Sequence, residues 1–138
     1  MRYWLMKSEP SDWSWDDQVA KGAAGEDWTG VRNYQARNTM REMAVGDLAL
    51  FYHSQTDKAC MGIVRVIAPA HPDPSDDNGR WDCVTVEAVE ALPHPVTLDA
   101  VKAEPDLSEM VLVRNSRLSV QPVTEAEWRI VRRMGGLA

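Results

Sequence analysis

Four short stretches concentrate the side chains that could do chemistry. Lys7-Ser8-Glu9-Pro10 places an ammonium, a hydroxyl and a carboxylate just after a short apolar run. On an extended chain Lys7 and Glu9 point to one side and Ser8 to the other, while Pro10 keeps Glu9 extended. Such a strand end can floor a polar pocket, or it can be a solvated exit. Trp28 to Asn38 is the densest stretch. Trp28 and Tyr34 offer stacking faces, Asn33, Gln35 and Asn38 carry amides that donate and accept at once, and Arg32 and Arg37 can meet a phosphate or lie on a ring. Gly30 permits close backbone approach. In Phe51-Tyr52-His53-Ser54 an apolar strand turns polar, and alternation separates Phe51 and His53 from Tyr52 and Ser54. His53 is either a contact to a ligand or a satisfied core histidine. Arg117 is either a ligand contact or an ordinary ion-pair residue.

These groups suit holding a planar heterocycle better than transforming it. The chain has no nucleophile elbow, phosphate loop or HExxH stretch. Ser54 and His53 are strand neighbours and point apart. Lys7, Ser8 and Glu9 could form a hydrolytic set only if the fold made them converge, which is the enzymatic alternative. Cys60 and Cys83 sit in strand-like apolar runs and read as buried, reduced thiols. His53, His71 and His94 are scattered, so no metal and no cofactor is expected.

Charge narrows the partners. The net charge is −6, whereas proteins that grip nucleic acid through its phosphates are usually basic. The chain is therefore a poor candidate for tight, sequence-blind binding to duplex DNA, which leaves a small ligand, a single base or a locally held strand. The basic residues are mostly arginine, suited to stacking and bidentate hydrogen bonds. Six tryptophans exceed what so small a core requires, so some should line a cavity.

The elements that would position these groups follow from periodicity and punctuation. Arg2 to Met6 reads as a strand. Ser14 caps a short helix with Asp16 and Asp17 in its first turn, and Gly22 and Gly25 break the chain. Asp27 to Val31 reads as extended. Asn33 to Ala44 fits a helix with Ala36, Met40, Met43 and Ala44 on one side. Leu48 to His53 and Cys60 to Ile67 form a hairpin. Pro69 to Arg80 reads as an exposed, mobile loop without a site. Trp81 to Leu92 is a long strand in which the alternation slips between Ala88 and Val89, predicting a bulge, and Pro93-His94-Pro95 should end it. Short helices are expected at Thr97 to Lys102 and Ser108 to Leu112, and a last strand at Arg117 to Val123. Thr124 and Glu127 make a capping box for a final helix. Bent strands with peripheral helices predict an α+β fold around a small, partly open barrel. The length, 138 residues, suits a single domain over 1–138. With neither a secretory leader nor a run of about 18 apolar residues, the expected location is cytoplasmic.

At this point the residues carry a family resemblance. YWLMKSEP at 3–10, WTGVRNYQARN at 28–38, Gly46-Asp47, FYHS at 51–54 and RLSVQPV at 117–123 resemble the EVE domain, in order and over essentially the whole chain. The resemblance implies a stand-alone bacterial member with a PUA-like fold, a mixed β pseudo-barrel with helices outside. It also implies a base-binding pocket drawn from Lys7, Ser8, Glu9, Trp28, Gly30, Val31, Asn33, Tyr34, Arg37, Asn38, Tyr52, His53, Ser54 and Arg117. EVE domains are associated with modified cytosine, and some are fused to nucleases. The expected function is thus reading a flipped or single-stranded modified base in DNA or RNA, with Arg32 and Arg41 as a phosphate rim and a nuclease or modification enzyme as a possible partner. The alternatives are an amidohydrolase-like enzyme acting on a modified nucleoside and a sensor of a free nucleotide or small metabolite.

Overall fold

The computed structural model describes residues 1–137. Six strands form one mixed sheet: β1 (Tyr3–Ser8), β2 (Glu26–Asp27), β3 (Leu48–His53), β4 (Ala59–Pro72), β5 (Asp82–Thr97) and β6 (Val120–Val123), in spatial order β2-β5-β4-β3-β1-β6. β1 runs parallel to β3, and the other pairings are antiparallel. The helices are α1 (Trp15–Lys21), α2 (Tyr34–Arg41), α3 (Leu98–Ala103), α4 (Val111–Arg114) and α5 (Glu125–Met134).

The sheet curls. α2 packs against both β5 and β6, which lie far apart in the strand order, so only a rolled sheet lets one helix touch both. Repeated register shifts between β4 and β5 supply the bend. One of them falls where the alternation slips: Val64 pairs with Ala88 and Ile63 with Glu90, leaving Val89 as the extra residue. The roll encloses Trp4, Met6, Phe51, Val64 and Val84, with Trp15, Trp28 and Met40 sealing it. The other face of the sheet packs Leu5, Leu50, Tyr52 and Ile63 against Val101, Leu107, Trp128 and Val131.

The caps lie where expected. Ser14 with Asp17 and Thr124 with Glu127 form complete capping boxes. α2 is shorter than its periodicity suggested, with Asn33 as the cap residue and the helix ending at Arg41. Four boundaries differ from those expected. β5 continues past Leu92 to Thr97, because Pro93 and Pro95 sit in a stretch outside the β4 ladder, where no ladder N–H is needed. β4 runs on to Pro72, and pairs His71 with Cys83 and Pro72 with Asp82. The Pro69 to Arg80 segment is therefore strand at its start and, at Asp73, buried rather than free. Residues 28–31 are not strand, and β6 begins only at Val120.

Candidate functional site

A cleft of about 360 Å³ opens beside the end of β1, at the small end of the range for ligand pockets. Lys7, Ser8 and Glu9 form its floor, Asp12 and Trp13 one wall, and Glu26 to Arg32 the other, with Ser119 at the margin. The chain reverses after Glu9, whose carbonyl accepts from the amides of Asp12 and Trp13, both at 2.9 Å. Ser8 Oγ donates to the Trp13 carbonyl at 2.6 Å. The Trp13 indole donates to Gln18 Oε1 at 2.9 Å, and the buried Gln18 amide donates to the Val86 carbonyl. Trp13 is thereby tied to the sheet, and its half-buried ring is held in a fixed direction.

Lys7 Nζ donates to the Ser116 carbonyl and lies 5.5 Å from the Tyr52 ring centroid. Burial lowers its pKa from the ordinary 10.5. Lys7 and Ser8 are thus committed to different backbone carbonyls, and the hydroxyl makes no bond to the ammonium.

The opposite wall is set by two anchors. Trp28 donates its amide to the Val84 carbonyl, sits edge-on to Phe51 with centroids 5.4 Å apart, and is only 6% exposed. It belongs to the core as much as to the cleft, so truncating it would cost about 3–5 kcal/mol of stability. Asp73, 2% exposed, holds the lip. Its Oδ2 accepts from the Gly30 amide at 2.9 Å and from Arg32 at 3.1 Å, and its Oδ1 accepts from the amide and hydroxyl of Ser75. Gly30, at φ +83°, lies in the left-handed region that glycine adopts without strain. Burial works to raise the Asp73 carboxyl, but these donors outweigh it and hold the pKa below the usual carboxylate value.

Outside the lip is an exposed aromatic platform. Tyr34, 55% exposed, stacks on Trp81 with centroids 4.8 Å apart and planes 26° apart. The Arg37 guanidinium lies 4.8 Å from the Tyr34 centroid, and that of Arg32 lies 5.6 Å from Trp81. Arg37 also donates to the Arg80 carbonyl and to Asn38 Oδ1.

The structure therefore divides the expected site residues. Lys7, Ser8, Glu9, Trp28, Gly30, Val31 and Arg32 line the cleft. Tyr34, Arg37 and Asn38 sit on the platform instead. Asn33 spends its side-chain oxygen on the Ala36 amide as the cap of α2. Tyr52 is buried in the second core. His53 accepts from the Trp15 amide at 2.9 Å and contacts Asp57 at 2.7 Å, so it braces α1 as a structural histidine. Ser54 donates its amide to the Ser8 carbonyl and does not line the cleft. Arg41, expected on a phosphate rim, is paired with Asp82 at 2.6 Å. Arg117 is exposed and is not a cleft-lining residue.

Trp13, Asp73 and Trp81 belong to the site without any motif in the sequence to mark them as part of it. Asp73-Pro74-Ser75 carries an aspartate-turn signal, but nothing in the sequence ties it to Gly30. A further group, Asp27, His71 and Cys83, converges at one end of the β2 wall and could hold a metal ion.

The family model for the EVE domain matches residues 2–134. The chain belongs to the EVE domain family. Human thymocyte nuclear protein 1 is 34% identical over 161 residues, covering 94% of this chain and 72% of that protein. A crystal structure of human THYN1 in complex with 5-methylcytosine-containing DNA matches with a TM-score of 0.91 at 32% identity, over 100% of this chain and 99% of that one. Protein Atu2648 from Agrobacterium tumefaciens matches with a TM-score of 0.97 at 57% identity, over 100% of this chain and 95% of that one. The rolled, helix-capped sheet of this EVE domain is the PUA-like fold, an α+β architecture with a mixed sheet, as the motifs implied.

Proposed function

We propose that this EVE domain reads a modified nucleobase, taking one flipped or single-stranded base, a modified cytosine in DNA, into the cleft between Trp13 and Trp28. The observation that carries this reading is the cleft itself: two tryptophans, one on each wall, above a polar strand end. The complex formed by human THYN1 with 5-methylcytosine-containing DNA supports the choice of base and of DNA.

The energetics favour an unpaired base. Extracting a base from a duplex costs a few kcal/mol. Stacking on an aromatic returns about 1–3 kcal/mol, and a good bidentate edge contact discriminates by about 1–3 kcal/mol. At a net charge of −6 the chain gains little from the phosphates beyond its local arginines. Tyr34, Trp81, Arg32 and Arg37 suit the neighbouring nucleotide and its phosphate. Trp13 and Lys7 then contact the base, and the Tyr34–Trp81 platform contacts the strand beside it.

The test is fluorescence anisotropy with a labelled single-stranded oligodeoxynucleotide carrying one 5-methylcytosine, compared with its unmodified twin. Parent protein should bind the modified strand more tightly. Trp13→Ala should lose about 5- to 150-fold in affinity, the equivalent of one base stack. Tyr34→Ala should weaken the oligonucleotide while leaving a free modified nucleoside unaffected. Equal affinity of the parent for both strands, or unchanged binding by Trp13→Ala, would refute the reading.

A further inference from the structure

Asp27 is the last residue of β2, directly before Trp28. His71 and Cys83 are paired across the β4–β5 ladder. His71 Nδ1 lies 2.8 Å from the Pro69 carbonyl oxygen. A carbonyl can only accept, so Nδ1 carries a proton and donates it. In the neutral ring, Nε2 is then a bare lone pair. It faces Cys83 Sγ at 3.5 Å and Asp27 Oδ1 at 3.3 Å. Oδ1 already accepts from the Thr85 hydroxyl at 2.7 Å. A nitrogen lone pair beside a carboxylate is unfavourable unless a cation or a proton lies between them, and the Cys83 S–H at 3.5 Å offers it only a weak donor.

The spacing favours a metal ion. The three ligand atoms lie within 4.8 Å of one another. Zinc bonds nitrogen and oxygen at about 2.0–2.1 Å and sulfur at about 2.3 Å. In a tetrahedron those bonds place N and O about 3.4 Å apart and S and N about 3.6 Å apart. The observed separations are 3.3 and 3.5 Å.

We propose that Asp27, His71 and Cys83 form a three-ligand site for a zinc-class divalent metal, with water as the fourth ligand. A thiolate, an imidazole and one carboxylate favour a borderline-soft ion over magnesium or calcium. The surrounding groups are those that zinc ligands ordinarily have: a backbone carbonyl on the second imidazole nitrogen and a hydroxyl on the carboxylate. His71 and Asp27 are partly exposed, so the site is reachable from solvent. Bound there, the metal fastens β2 to the β4–β5 hairpin one residue before Trp28, and so stiffens a wall of the cleft. The three ligands stand 44 and 12 residues apart in sequence, which is why no linear zinc spacing announces them.

The test uses chelator-treated protein titrated with Co²⁺ and then with Zn²⁺ as a competitor. The parent should develop thiolate-to-cobalt charge-transfer absorption and the visible bands of a tetrahedral ion, and Zn²⁺ should abolish both while raising the melting temperature. Cys60→Ser should keep the spectrum, since Cys60 is buried elsewhere, in the second core. Cys83→Ser should lose the charge-transfer band, and His71→Ala should bind zinc about a hundredfold more weakly or worse. Circular dichroism of each variant separates ligand loss from unfolding. No thiolate band in the parent, or a band that survives Cys83→Ser and disappears in Cys60→Ser, would overturn the proposal.

Discussion

Asp73→Asn isolates the device that shapes the lip of the cleft. The carboxylate is buried and accepts four hydrogen bonds, two on each oxygen: from the Gly30 amide and Arg32, and from the amide and hydroxyl of Ser75. Asparagine keeps one oxygen and turns an NH₂ toward one of these donor pairs, whichever way its amide is flipped. Turned toward Gly30 and Arg32 it faces two donors, and turned toward Ser75 it faces the amide, since the hydroxyl can rotate to accept. Hydrogen bonds to a charged group are worth about 1.5–3 kcal/mol each. Arg32 is partly exposed and recovers part of its share from water. The net loss should be about 2–4 kcal/mol. For a chain of this size that lowers the melting temperature by about 8–15 °C, readable by calorimetry at neutral pH.

The pH dependence gives a second, independent readout. The Asp73 carboxyl is held below its ordinary 3.8. A depressed carboxylate contributes fully above its unfolded value, and the contribution is lost as pH falls through the lower folded value. The gap in stability between parent and variant should therefore be constant at neutral pH and narrow as pH drops below 3.8. Asp47, whose burial works to raise its pKa but which hydrogen bonds from Ala44, Trp4 and Arg2 hold low, remains in both proteins, so the variant still unfolds in acid. A variant melting within about 2 °C of the parent, or a gap that does not change with acidification, would refute the account of Asp73 as the clamp.

Two further outcomes follow from the packing and the charges. A methyl group at Gly62 would lie 2.3 Å from the Trp15 ring; Gly62→Ala should destabilise by at least about 1–3 kcal/mol, seen as a lower melting temperature and altered near-ultraviolet circular dichroism. Because burial lowers the Lys7 pKa from 10.5, ligand affinity that uses its charge should decline on the alkaline side before that value is reached, and Lys7→Met should bind more weakly with that alkaline limb removed.

Local chemistry wrote much of this fold into the chain. Ser14 and Thr124 announce their helices because a capping box needs only residues three apart. The bulge opposite Val64 is visible as a parity slip, since side chains alternate strictly along a strand. The motif at 28–38 marks one wall of the cleft and Lys7 to Glu9 its floor. Pro93 and Pro95 do not end β5, because a proline breaks a strand only where the ladder needs its N–H, and no local pattern shows where the ladder runs.

The sequence by itself determined which residue types were available for recognition, the elements carrying them, and the family to which they belong. Tertiary structure alone decided their allocation: His53 to bracing α1, Arg41 to pairing with Asp82, and Asp73 to the lip. A polar side chain that enters the protein is taken by whichever partner lies within about 3 Å, and that partner is usually remote in sequence. Asp73 reaches Gly30 across 43 residues, a pairing that exists only once the sheet has rolled.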